Sequence, residues 1–214
     1  MKKRFLLIIA FSGLWLKAFC QLNGTFEEYY YIGREKTFYM ATVVTDHAAN
    51  DWYIEGRYNY DAINAVSAYL GKTFEKKALI SYSITPMAGL IGGRFNGGSV
   101  GANVAFDCKG LSFASQSQYT ISVQNKATNF IYSLSELTYH FREFLSAGVS
   151  LQQTAIYRAG GTPEKGILIR AELKKFSFPL YIFNPSTNER YFMFGMVIQL
   201  SDEKKTENSS FSIC

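Results

Sequence analysis

Histidine, cysteine and proline are scarce in this chain, and past its first twenty residues so is any long apolar run. Its 214 residues hold two histidines (His47, His140), three cysteines (Cys20, Cys108, Cys214) and four prolines. Two histidines, with only Cys108 and Cys214 beyond residue 20, offer no ligand cluster of known spacing, so neither a metal site nor a cofactor is expected. Two cysteines make no disulfide framework in so long a chain, although an oxidising compartment would permit one bridge between them. No stretch past residue 20 approaches 18 consecutive apolar residues, so no transmembrane helix is expected there. Helical periodicity is nearly missing: Asp61 to Tyr69 could make a turn or two, and it fits a hairpin connection equally well. No convincing helix follows Gly92-Gly93 or Gly97-Gly98, which therefore read as a turn and not as a phosphate cradle.

What is present begins with an address. Lys2, Lys3 and Arg4 precede an apolar stretch from Phe5 to Leu16, and Ala18-Phe19-Cys20 offers small residues three before and one before the Cys20–Gln21 bond. This is the pattern of a secretory signal peptide (1–20) cleaved before Gln21. Lys17 closes the run at about twelve residues, short of the ~20 that a membrane anchor needs. Lipidation of Cys20 is a second reading, weakened by Phe19 and Lys17 where a lipobox wants small residues. Four of the 22 basic residues and no acidic one stand before Gln21, leaving 18 basic residues against 17 acidic ones beyond it. The basic balance is mostly the signal's, so no nucleic-acid partner is expected.

The remainder divides into one domain (21–200) and a polar tail (201–214). Aromatics are dense, with 15 Tyr and 18 Phe, and period-2 alternation recurs. From Trp52, one face carries Trp52, Ile54, Gly56, Tyr58 and Tyr60, and the other Tyr53, Glu55, Arg57, Asn59 and Asp61. In Leu111–Asn125, Tyr119, Ile121 and Val123 oppose Gln116, Gln118, Thr120, Ser122 and Gln124. In Ile167–Lys175, Ile167, Ile169, Ala171 and Leu173 oppose Arg170, Glu172 and Lys174. Between Phe130 and Phe141 the apolar face continues into Glu136 and Thr138, which suggests a bulge or register change. Turn chemistry at 46–51, 75–77, 92–98, 109–110, 125–129, 160–165 and 184–190 separates the runs.

A soluble barrel alternates as cleanly, so the choice rests on other features. Charges and glutamines recur at mid-strand, aromatics crowd the ends of the apolar faces, and several strands approach the ~9–11 residues that cross a bilayer. Gly56, Gly89, Gly101, Gly148 and Gly195 fall inside strand patterns, where a packed soluble core would lose contacts. The expected fold is all-β: a single antiparallel up-and-down transmembrane barrel of about ten strands (8–12), apolar outside and polar inside.

The blocks Trp52-Tyr53-Ile54-Glu55-Gly56-Arg57-Tyr58-Asn59-Tyr60, Ile84-Thr85-Pro86-Met87-Ala88-Gly89 and Asn129-Phe130-Ile131-Tyr132-Ser133 resemble a family of uncharacterised small exported proteins of Bacteroidetes-type bacteria. That resemblance spans most of 39–200 and implies an outer-membrane β-barrel in a diderm bacterium, with no functional residues carried over. Many such barrels end on an aromatic strand, whereas here Leu200 leads into the polar tail.

The candidate site is a lumen charge cluster of Glu55 and Arg57 with Arg170 and Glu172, each pair spaced i, i+2 on one strand face. It reads either as a selectivity constriction or as mutually neutralising filling of a narrow lumen, the latter favoured in so small a ring. Ser135, Glu136 and His140 are the residue types of a hydrolase, but on one strand Ser135 faces away from the other two. The expected role is thus a non-enzymatic outer-membrane barrel, structural or binding, with a narrow pore among the options. Its partners are outer-membrane lipid, the barrel-assembly machinery during biogenesis, and a small solute or ligand. A soluble lipocalin-like barrel holding an apolar ligand and a lipid-modifying enzyme are the rivals.

Overall fold

The computed structural model describes residues 24–33 and 38–200. The signal segment, its cleavage site, the acylation of Cys20 and the 201–214 tail lie outside the described residues.

Thirteen strands follow one another: β1 (Gly24–Ile32), β2 (Phe38–Ala48), β3 (Trp52–Tyr58), β4 (Ala65–Lys72), β5 (Phe74–Lys76), β6 (Ser81–Gly93), β7 (Gly97–Cys108), β8 (Leu111–Ser122), β9 (Phe130–Arg142), β10 (Leu145–Ile156), β11 (Glu164–Leu173), β12 (Phe176–Phe183) and β13 (Tyr191–Gln199). Every pairing is antiparallel, and twelve strands close into a ring. β1 joins β13 through Glu27↔Val197, and β4 joins β6 through Tyr69↔Gly89. The short β5 stands outside the ring, paired only with the start of β6. Closure pairs the backbone groups within the wall, the condition for placing a sheet in hydrocarbon.

The ring has two strands more than the ten expected. Two of its turns, Glu143-Phe144 and Lys174-Lys175, hold neither glycine nor proline, so they carry no turn signature. Lys174 takes the left-handed conformation (φ 56°) usually left to Gly or Asn. β12 (FSFPLYIF) was also illegible, because both of its faces are apolar and alternation vanishes. Asp61 to Tyr69 forms no helix; it is the hairpin connection and the start of β4. β9 stays in register from Phe130 to His140, and the bulge falls at its end, where His140↔Ser146 and Arg142↔Leu145 leave Phe141 over.

The faces are inside out. Glu55 and Arg57 are each 2% exposed, while Val149, Val100 and Leu90 are 57%, 56% and 76% exposed. A water-soluble barrel would reverse those values. β6 to β10 run 12 or 13 residues, enough to cross a bilayer at a tilt. Outward aromatics gather near strand ends: Trp52, Tyr58, Tyr82, Tyr139, Phe141, Phe144 and Phe176.

The interior is not polar throughout. Leu168, Tyr181, Phe183 and Met193 form a buried cluster on the β11–β13 wall, flanked by Tyr29, Tyr31, Leu134 and Tyr191. The Phe183 ring stacks on Tyr191 at 4.9 Å and on Tyr181 at 5.7 Å. This wedge narrows the lumen from one side, and the middle of the barrel stays open against Ser83 of β6, Ala105 of β7 and Ala114 of β8. Two glycines make room for lumen tyrosines. A Cβ on Gly89 would lie 2.4 Å from the Tyr69 ring, and one on Gly195 would lie 2.8 Å from Tyr29.

Candidate functional site

The connection between β3 and β4 (59–64) turns into the barrel. Asn59 and Asn64 close its neck in left-handed conformations (φ 55° and 56°), which asparagine tolerates better than most residues. Asn59 Oδ1 accepts from the Asn64 backbone N–H at 2.6 Å, and the Asn59 N–H donates to the Ala65 carbonyl at 3.0 Å. So pinned, Tyr60 and Asp61 project across the lumen.

Arg57 is the hub of what they meet. Its Nε and Nη2 grip both oxygens of Glu55 at 2.7 and 3.0 Å, a bidentate, charge-assisted pair. Its Nη1 reaches Gln118 Oε1 at 2.6 Å and Asp61 Oδ1 at 3.3 Å. The guanidinium lies over the Tyr69 ring at 4.2 Å and the Tyr60 ring at 4.8 Å, where cation–π attraction adds to the ion pairs. Asp61 also accepts from Ser67, Tyr69 and Gln118. Tyr60 donates to Gln116 at 2.6 Å and stands edge-on to Tyr132, with centroids 5.8 Å apart. Tyr53 donates to Glu55 at 2.9 Å and accepts from Asn103 at 3.1 Å. One hydrogen-bonded lattice thus ties β3 and β4 to β7, β8 and β9.

The lattice separates two cavities. Above it, toward the 59–64 and 123–129 connections, lies one of about 210 Å³ bounded by Asn59, Asp61, Gln118 and Gln152. Below it lies one of about 280 Å³ bounded by Glu27, Glu55, Asn103 and Glu136. Tyr31 and Tyr60 line both. A third cavity of about 290 Å³ opens at the lower end beside Arg170, Glu172 and Lys174, and Glu27 and Tyr29 stand between it and the middle one.

The structure does not join the two charge pairs read from the sequence. β3 and β11 are five places apart on the ring. Glu55 and Arg57 bind each other. Arg170 binds Glu136 at 2.7 Å, and Glu136 also accepts from Tyr181 at 2.6 Å. Glu172 lines the lower cavity and makes no ion pair among the described residues. Glu136 was absent from the expected cluster because its partner lies 34 positions away and only the register brings them together. Tyr60 and Asp61 were read as strand residues, and the flanking asparagines were the signal that they are not.

Ser135, Glu136 and His140 do not converge. Ser135 faces outward and shares a hydrogen bond with Ser115 at 2.8 Å, while Glu136 is held by Arg170. His140 Nε2 instead lies 3.3 Å from Ser112, whose hydroxyl donates to Asp107. The carboxylate thus sits on the serine and not on the histidine, the reverse of the order that activates a nucleophile. Cys108, at the lower end of β7, has no disulfide partner among the described residues, and Cys214 lies outside them. No group of three or more His, Cys, Asp or Glu could hold a metal among the described residues.

No family model matches this chain, and no curated protein does. Solved structures do. The KdgM porin in complex with disordered oligogalacturonate superposes with a TM-score of 0.62 at 11% identity, covering 81% of this chain and 98% of the porin. The NanC porin gives 0.59 at 11% identity, covering 84% and 100%. At such identity the likeness is one of fold: a closed antiparallel barrel of the outer-membrane type.

Proposed function

We propose that this chain is a small-solute pore of the outer membrane of a diderm bacterium, narrowed by the lattice around Arg57. The observation that carries the reading is the row of three cavities along the lumen, two of them parted by Tyr60 and its partners. A barrel filled only for stability would pack such space with side chains. The even strand number, the outward apolar band and the short turns at the end that holds Gly24 and Leu200 support this setting, with that end periplasmic. The three motif blocks support a place among the exported barrels of Bacteroidetes-type bacteria, delivered after cleavage near Cys20–Gln21 and inserted by the barrel-assembly machinery.

The oligogalacturonate named with the KdgM porin is a polyanion, and it is not carried over as the solute here. Both lumen guanidiniums of the described residues, Arg57 and Arg170, are already bound to carboxylates.

The test is conductance in a planar lipid bilayer. The wild-type barrel should give small unitary steps. Tyr60→Ala combined with Tyr31→Ala removes the two rings that line both the upper and the middle cavity, so its steps should be several-fold larger. Silent bilayers from both proteins, each confirmed as folded, would overturn the pore reading and leave a filled barrel.

A further inference from the structure

We propose that the path through this barrel selects cations, and small organic ammonium ions in particular, a statement that rests on the pore reading above. The lumen-facing charges are strongly one-sided. Glu55, Asp61 and Glu136 are shared among the only two lumen-facing guanidiniums of the described residues, Arg57 and Arg170. Three more carboxylates of the described residues line the lumen with no such partner. Glu27 stands between the middle and lower cavities, Glu164 lies near the upper end beside Gln152 and Tyr191, and Glu172 lines the lower cavity. The lysines that reach the lower cavity, Lys174 and Lys175, sit on the turn at its mouth. An anion moving along this path passes one carboxylate after another, whereas a cation is attracted by each, which is how carboxylate-lined constrictions set selectivity.

The middle cavity narrows the class further. Beside Glu27, Glu55 and Glu136 it is lined by Tyr29, Tyr31, Tyr53 and Tyr60 and by the apolar Val43, Leu134 and Met193. Asn103 lends it a side-chain oxygen, buried and without a hydrogen-bond partner. Carboxylates, a neutral oxygen acceptor and aromatic faces together suit an ammonium group carrying some hydrocarbon. The same walls lack three acidic groups close enough to hold a metal ion. About 280 Å³ has room for a small amine and none for an oligomer.

The experiment uses the refolded barrel in a planar bilayer at low ionic strength, where surface screening is weak. Under a KCl gradient the reversal potential should lie toward that of K⁺, with K⁺ preferred over Cl⁻ by about fivefold or more, the effect of one carboxylate about 4 Å away even in a water-like medium. Replacing K⁺ by ethylammonium on one side should leave a sustained inward current. Among the described residues Glu27 accepts from Thr25 on one carboxylate oxygen at 3.2 Å and from Tyr29 on the other at 2.7 Å. In Glu27→Gln the amide oxygen keeps one of these contacts and the amide N–H can donate to the other hydroxyl, so the variant should lower the preference for K⁺ with the ring intact. A reversal potential toward Cl⁻, exclusion of ethylammonium, or a preference unmoved by Glu27→Gln would overturn this inference while leaving the pore in place. Absence of any current would overturn the pore and this inference together.

Discussion

Replacing Val149 with arginine should lower the stability of the barrel in lipid by about 2–4 kcal/mol, the cost of a cation on the lipid face near the bilayer midplane. Val149 stands halfway along β10, 57% exposed, in an outward row with Leu137 and Ile167 as its paired neighbours. Three residues on, Gln152 faces the lumen, with its amide 3.4 Å from Glu164 and 3.3 Å from Tyr191. Arginine there gains a carboxylate, so Gln152→Arg should cost under about 1 kcal/mol. Urea unfolding from vesicles, followed by Trp52 fluorescence, measures both. Trp52 is the one tryptophan beyond Gln21. A soluble barrel would invert the pair, with Val149→Arg harmless on a wet surface and Gln152→Arg ruinous in a core.

The second large effect belongs to Arg57. Its side chain is fully buried, and it serves Glu55, Asp61 and Gln118 at once. Arg57→Met strips the counter-charge from two buried carboxylates and should cost about 3–5 kcal/mol, because unpaired buried charge is far more costly than the pair is stabilising. The triple variant Glu55→Gln, Arg57→Met, Asp61→Asn removes the whole ionic set and should recover most of that loss by the same unfolding measurement. If the single variant lost less than about 1 kcal/mol, the hub would be loosely solvated, and the lattice would no longer account for the narrowing of the lumen.

The sequence made the wall legible and the lumen only in part. Alternation along Trp52–Tyr58 put Glu55 and Arg57 on one face and Trp52, Ile54 and Tyr58 on the other, and the same reading set Gln116 and Gln118 inward. Period 2 is a local property of a strand, so it survives without knowledge of the fold. It failed where the interior itself is apolar. Tyr181 and Phe183 point inward on a strand that also carries Phe176 and Phe178, so nothing marks a face. It failed again where direction comes from a loop, since Tyr60 and Asp61 continue the β3 alternation on paper but are aimed by the Asn59–Asn64 neck. Partners across the ring, such as Glu136 with Arg170 or Arg57 with Gln118, depend on register and closure, which no short stretch of sequence encodes.

The most direct test of the account is electrophoresis of the detergent-extracted protein with and without boiling. A ring closed by β1–β13 and β4–β6 has no free edge at which unfolding can start, so the unheated protein should resist SDS and migrate apart from the boiled form. Identical mobility, together with recovery in the soluble periplasmic fraction, would contradict a bilayer-spanning barrel.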